Sequence, residues 1–227
     1  MRYVSRQLVS IPPILRSDTA ELRRQSLRDS AENGSFSQMR ARVDHELLKD
    51  NSIREGLEKL FQGRCAYCEQ RASAKKLSNL EPHRPLGQAL GKDGRTDHAY
   101  YTWLAYDWDN IVSACDACRR RKQNQFFVDG KRGAMNASVG KLRETEKALF
   151  LDPCYDDPGE NLRFGTNGHV EALSVAAQET ISLLSLNRPE LVAARHAAFL
   201  TVVDRLTEDP RGCEVVALPW PRHAGAR

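Results

Sequence analysis

The sequence predicts an α+β protein that is mainly helical and folds around a small zinc-bracketed core. Three observations carry that expectation. Two Cys-x-x-Cys pairs, Cys65/Cys68 and Cys115/Cys118, enclose a loop-rich segment that holds His83 and Asn110. Apolar residues recur at helical spacing in the stretches on either side, 17–61 and 176–206. The short segment FGTNGHVEAL reads as a β-hairpin turning at Asn167-Gly168. With 227 residues, 41% hydrophobic and 28% charged, the chain can bury a core, and no apolar run approaches the ~20 residues of a membrane span. Residues 1–62 read as a helical scaffold, 63–133 as the zinc-bracketed core, and 134–227 as a hairpin and helices packed on it, one compact unit overall.

Taken in order, the first 16 residues read as an extended arm, because Pro12 and Pro13 forbid a regular helix. Helices are expected from Asp18 to about Ser30 and from about Ser37 to Leu48, with Asp18 and Ser37 as N-caps and Asn33-Gly34 between. A third, from about Ser52 to Phe61, places Ile53, Leu57, Leu60 and Phe61 on one face, and Gly63 ends it. Residues 69–98 are broken by Pro85, Gly87, Gly91 and Gly94 into loops. The aromatic run from Tyr100 to Ile111 reads as packing. A helix through Arg119–Gln125 should follow and break at Asp129-Gly130 and Gly133. Asp152, Asp156 and Asp157 sit among Pro153, Pro158 and Gly159 and read as a turn, not a cation site. Helices over Ala176–Leu184 and Glu190–Leu206 come next, and residues from about Pro210 read as poorly ordered.

Each Cys-x-x-Cys pair donates two thiolates from one tight turn, and two such turns close on a single zinc ion at about 2.3 Å per Zn–S bond. Four protein ligands leave no open position, so this zinc is structural and clamps the ends of the segment between the pairs. Cys154 and Cys213 have no such partner and stay outside the site. The proline-broken N-terminal stretch does not read as a signal peptide. A cytoplasmic location follows, where paired cysteines favour metal over disulfide. The formal net charge is +4, and Arg119, Arg120, Arg121 and Lys122 follow the last zinc cysteine directly, with Lys131 and Arg132 close behind. Beside a rigid turn such a cluster suits phosphate neutralisation; otherwise it is a solvated helix face.

The order Cys-x-x-Cys, His-turn, Asn, Cys-x-x-Cys plus a basic tail resembles the zinc-bracketed HNH endonucleases. CAYCE, YYTWLAYDWDN, the C-x-x-C-x-x-x-K stretch, LDPCYDDP and LNRPEL extend the resemblance to the HNH proteins of ATPase-coupled antiphage systems. These are the PtuB-like proteins of Septu and retron-associated loci, and the similarity runs from MRYVSR to LNRPEL. The resemblance implies a ββα-metal core with one catalytic Mg²⁺ or Mn²⁺ that cleaves DNA, and an SMC/ABC-like ATPase as partner. It makes His83 the general base, Glu81 a ligand of the divalent ion and Asn110 the brace of the histidine loop. Arg84 and Arg119–Lys122 become the nucleic-acid contacts.

The HNH pattern reads Glu-His-x-x-Pro, whereas this chain reads Glu81-Pro82-His83-Arg84-Pro85, and Arg119 stands where a metal-binding His or Asn follows the last zinc cysteine. An arginine cannot ligate a metal. Three readings follow. A local bulge restores His83 to the site; Asp97 and His98 supply ligand and base instead; or the site is degenerate, and the protein binds nucleic acid or regulates its ATPase without cutting.

Overall fold

The computed structural model describes residues 1–35, 43–71, 80–98 and 100–208. The first half of the helix expected from Ser37 to Leu48, and the tail from Pro210 with Cys213, lie outside the described residues; the second half is not α-helical but a turn followed by a 3₁₀ turn at Leu47–Lys49. Among these residues the chain forms seven α-helices and three two-stranded sheets, an α+β architecture. No helix among them is long and apolar enough to cross a membrane.

The N-terminal arm is not extended throughout: it forms 3₁₀ turns at Arg6–Leu8 and Pro13–Arg16, the second opened by Pro13 at its first position, where no N–H is needed. Helix α1 spans Asp18–Glu32, and its cap is Ser17, one residue before the expected Asp18; the Ser17 hydroxyl accepts from the Ala20 amide at 3.2 Å. Helix α2 spans Asn51–Phe61, capped by Asp50, and buries Ile53, Leu57, Leu60 and Phe61 on the expected face. It packs on strand β4 (Ile111–Ser113), which pairs antiparallel with β1 (Leu80–Pro82). The register sets Leu80 against Ser113, Glu81 against Val112 and Pro82 against Ile111. Strands β2 (Ala89–Leu90) and β3 (Thr96–Asp97) form a second small hairpin.

Helix α3 spans Asp116–Lys122, three residues earlier than expected at each end. Its N-cap is Cys115, so the second cysteine turn and the first turn of the helix are the same piece of backbone, and Gln123 ends it with a φ of 47°. Thus β1, β4 and α3 form a ββα unit whose two strands are joined by residues 83–110. Helices α4 (Val139–Thr145), α5 (Pro158–Asn161) and α6 (Val175–Leu184) follow, and α6 packs on α3. The core of this part is aromatic: Tyr67, Tyr101, Tyr106, Phe126 and Phe150 are all fully buried.

The chain divides into two compact units, Met1–Arg163 with Ala172–Leu186, and Phe164–Glu171 with Asn187 onward. The second contains the tip of the hairpin made by β5 (Leu162–Phe164) and β6 (Val170–Ala172), and helix α7 (Pro189–Glu208). Asn187 holds the tip by bonding both the amide and the carbonyl of Val170 at 2.8 Å. Gly168 is required there: its φ is +82°, and a Cβ would lie 2.2 Å from the Val192 carbonyl oxygen. Both candidate sites described below lie in the first unit.

Candidate metal centre and adjoining cleft

The sulfurs of Cys65, Cys68, Cys115 and Cys118 all lie within 4.8 Å of one another, with Cys68 Sγ and Cys115 Sγ 3.6 Å apart. A tetrahedral ion with 2.3 Å bonds to sulfur needs sulfur separations of ~3.8 Å. The four-cysteine cluster therefore fits a metal ion, and its all-sulfur donor set suits structural zinc. Two turns present it. In the first, the Glu69 amide bonds back to the Cys65 carbonyl at 2.9 Å, and the Ala66 amide bonds the Ser113 carbonyl of β4 at 2.7 Å. In the second, the α3 backbone folds Cys118 back beside Cys115, with the Arg119 amide on the Cys115 carbonyl at 3.0 Å. Among the described residues no other group of three His, Cys, Asp or Glu side chains is placed to hold an ion. Cys154 is buried apart from the cluster, and burial pushes its thiol up to about 12.

Asn110 is fully buried and clamps the loop after β1. Its Oδ1 accepts from the Arg84 amide at 2.8 Å, its Nδ2 donates to the Arg84 carbonyl at 3.0 Å, and its own carbonyl takes the His83 amide at 2.7 Å. The histidine so held points inward. His83 is 1% exposed, stacked on Phe150 at 5.2 Å and edge-on to Phe126 at 5.6 Å. Its Nδ1 lies 3.3 Å from the Tyr67 hydroxyl. Burial holds its pKa down to about 3, with the positive charges of Arg84, Lys122 and Arg143 adding to the effect and Asp152 opposing it. The imidazole is thus neutral at physiological pH and shut away from water, which is poor placement for a general base.

Glu81 faces the other way, into a cleft of about 320 Å³ that Pro82, Arg119, Gln123, Asn124 and His45 also line. Its carboxylate accepts from Lys122 Nζ at 2.9 Å and from Arg119 Nε at 3.3 Å. Lys122 is wholly buried and also bonds the Pro82 carbonyl at 2.9 Å.

The remaining expected residues separate. Asp97, the last residue of β3, and His98 after it are exposed, Asp97 pairs with Arg132 at 2.6 Å, and neither lines the Glu81 cleft. Two of the five cations expected at a nucleic-acid surface are interior instead. Arg84 is 2% exposed, paired with the buried Glu146 at 3.1 Å and set over Phe126; Lys122 is spent on Glu81. Arg120 is exposed, and Arg119 and Arg121 are partly so.

Two participants escaped the sequence reading. Glu146 accepts from Arg84, from the Tyr101 hydroxyl at 2.5 Å and from the Gly133 amide at 2.9 Å, tying the loop to the aromatic core. His45 comes from a segment with no motif, and no local signal marks it.

No protein-family model matches the chain. It is, however, homologous to two Septu proteins. Septu protein PtuA of Bacillus mycoides (strain KBAB4) is 35% identical over 144 residues, 63% of this chain and 20% of that protein. Septu protein PtuB of the same strain is 33% identical over 155 residues, 66% of this chain and 52% of that protein. The chain therefore spans about half the length of the PtuB relative and a fifth of the PtuA relative.

Proposed function

We propose that this chain is a subunit of a Septu-type antiphage defence system. Its zinc-clamped ββα unit, of HNH type, grips the backbone of DNA without hydrolysing it. The observation that carries this reading is the engagement of Glu81 by two cations. Both oxygens of its carboxylate are engaged, one by Lys122 at 2.9 Å and the other by Arg119 at 3.3 Å, and Arg119 also lies 4.0 Å from Asp116. A carboxylate so engaged is not free to ligate the divalent ion that an HNH hydrolysis needs, while the partly exposed Arg119 lines the cleft as a contact for a phosphodiester. The imidazole in the loop is buried away from it, and Arg120 and Arg121 extend the positive surface along α3. An SMC/ABC-like ATPase is the partner that the resemblance implies, and the subunit would present DNA to it.

A second reading rests on His45. This exposed imidazole lines the same cleft as Glu81, and with Mg²⁺ or Mn²⁺ bound in place of the Lys122–Glu81 contact it would act as the base of an HNH endonuclease. Plasmid nicking with Mg²⁺ or Mn²⁺ separates the two. The first reading expects salt-dependent DNA binding and no nicking by the wild type. Nicking that disappears in Glu81→Ala and His45→Ala establishes the second, and nicking lost only in His83→Ala or His98→Ala refutes both.

A further inference from the structure

A separate cleft of about 610 Å³ opens between two glycine-containing turns, residues 91–95 and 129–132, and four cations line it: Lys92, Arg95, Lys131 and Arg132. Arg132 is its fixed floor. Nε bonds Asp97 at 2.6 Å, the terminal nitrogens bond the Phe126 and Ala89 carbonyls at 3.0 and 3.2 Å, and the guanidinium lies over Tyr100 and Tyr101. The other three sit at the rim. Lys92 and Arg95 have side chains 61% and 89% exposed, and Lys131 is exposed too. Arg95 meets Asp93 in a solvent-facing pair that is weak and screened, and Lys92, itself exposed, reaches the partly buried Glu179 from the rim. A side chain on Gly94 or Gly130 would meet nothing within 4 Å, so both turns stand open to solvent.

The two clefts share no lining residue, but the same two segments of chain contribute to both. Gly87 and Asn124 line the Glu81 cleft; Gly91 and Val128, four residues on in each strand, line this one. The two segments are bonded side by side, Leu90 amide to Asn124 carbonyl at 3.0 Å and Phe126 amide to Leu90 carbonyl at 3.1 Å. Four residues of chain reach at most ~14 Å. A duplex strand, at about 3.4 Å per nucleotide, covers that in on the order of four nucleotides, and a more extended single strand in fewer.

We propose that the Lys92–Arg95–Lys131 cleft is a second phosphate-binding site that takes a nucleic-acid strand as it leaves the Glu81–Arg119 cleft, an inference that rests on the nucleic-acid reading above. The cations are spread along an open rim around no enclosed slot for a base, which suits a polyanionic strand and not a single nucleotide.

The test is fluorescence anisotropy on the full chain with labelled single-stranded DNA of 4 and 12 nucleotides, over a salt series. Wild type should bind the 12-mer at least tenfold tighter than the 4-mer. The triple variant Lys92→Gln/Arg95→Gln/Lys131→Gln should lose that gain, keep its 4-mer affinity, and show a salt slope shallower by about 2, roughly 0.7 for each lost contact. The substituted side chains are exposed, so the unfolding temperature should not move; should it fall, Lys131→Glu alone repeats the measurement. A triple variant with unchanged 12-mer affinity and slope overturns the second site. If Arg120→Gln/Arg121→Gln still abolishes binding there, the proposed function stands without it. Wild type that binds neither oligonucleotide overturns both.

Discussion

Replacing His83 by phenylalanine separates a core residue from a catalytic one. The ring would keep its stacking on Phe150 and its edge contact with Phe126, at 5.2 and 5.6 Å. It would lose the 3.3 Å contact with the Tyr67 hydroxyl and leave that buried group short of a partner, at a cost of about 1–2 kcal/mol at neutral pH. The pH dependence supplies the sharper number. A histidine held near 3 when folded and near ~6.5 when unfolded takes up a proton only in the unfolded chain as pH falls through that window. The stability it contributes is therefore complete above ~6.5 and is lost progressively toward 3. Between pH 7.5 and 5.0 the wild type should lose about 2 kcal/mol more than His83→Phe, at 1.36 kcal/mol per pH unit. The variant, less stable at the higher pH, should draw level at the lower. Urea denaturation of both proteins at the two pH values measures this directly. Parallel losses would refute the buried, neutral imidazole, and so would a folded His83→Phe variant that had lost a cleavage activity the wild type possessed.

Two further outcomes test the clamp and the cleft. Cys118→Ser should leave a chain with little bound zinc that is unfolded or insoluble, because structural zinc binding supplies on the order of 10 kcal/mol of folding free energy; metal analysis and circular dichroism check it. Lys122→Met should destabilise the protein by up to about 3 kcal/mol in urea, since it strips the buried partner from Glu81 and leaves only the partly exposed Arg119. Glu81→Leu/Lys122→Met should recover most of that loss, and a double variant no better than the single would show that the lysine acts through something other than its carboxylate.

What was legible in the sequence follows the range of the signal. Helix α2 and the last two helices were readable because their apolar period repeats over at least two turns, and the cysteine cluster because Cys-x-x-Cys pairs encode their own geometry. Strands β1 and β4 are three residues each, too short for alternation to register, so from the residues alone neither could be placed. The shift of α3 to Asp116 also had a physical cause: Cys115 belongs to the cysteine cluster and is the N-cap at once, whereas helix rules look for Ser, Thr, Asp or Asn. The side-chain partners were beyond reach for a different reason. Arg84 and Glu146 are 62 residues apart, and Lys122 and Glu81 are 41 apart. A run of four basic residues looks uniform in sequence, yet its fourth member is buried and its second exposed, because one face of α3 packs against the protein.

Those burials also account for the two places where the chain departs from the HNH pattern. Pro82 lines the cleft at the end of β1, and the imidazole one residue later passes inward, where its amide is held by the Asn110 carbonyl. The position after the last cysteine carries Arg119, whose guanidinium reaches Glu81 from α3. Each change alone would weaken an ion site by removing one ligand. Together they act in one direction, because the first removes a metal-binding group from the cleft and the second adds a fixed positive charge 3.3 Å from the remaining carboxylate. With Lys122 bonded to the other oxygen of the same carboxylate, Glu81 has no oxygen left free for an ion, as the proposed grip without hydrolysis requires.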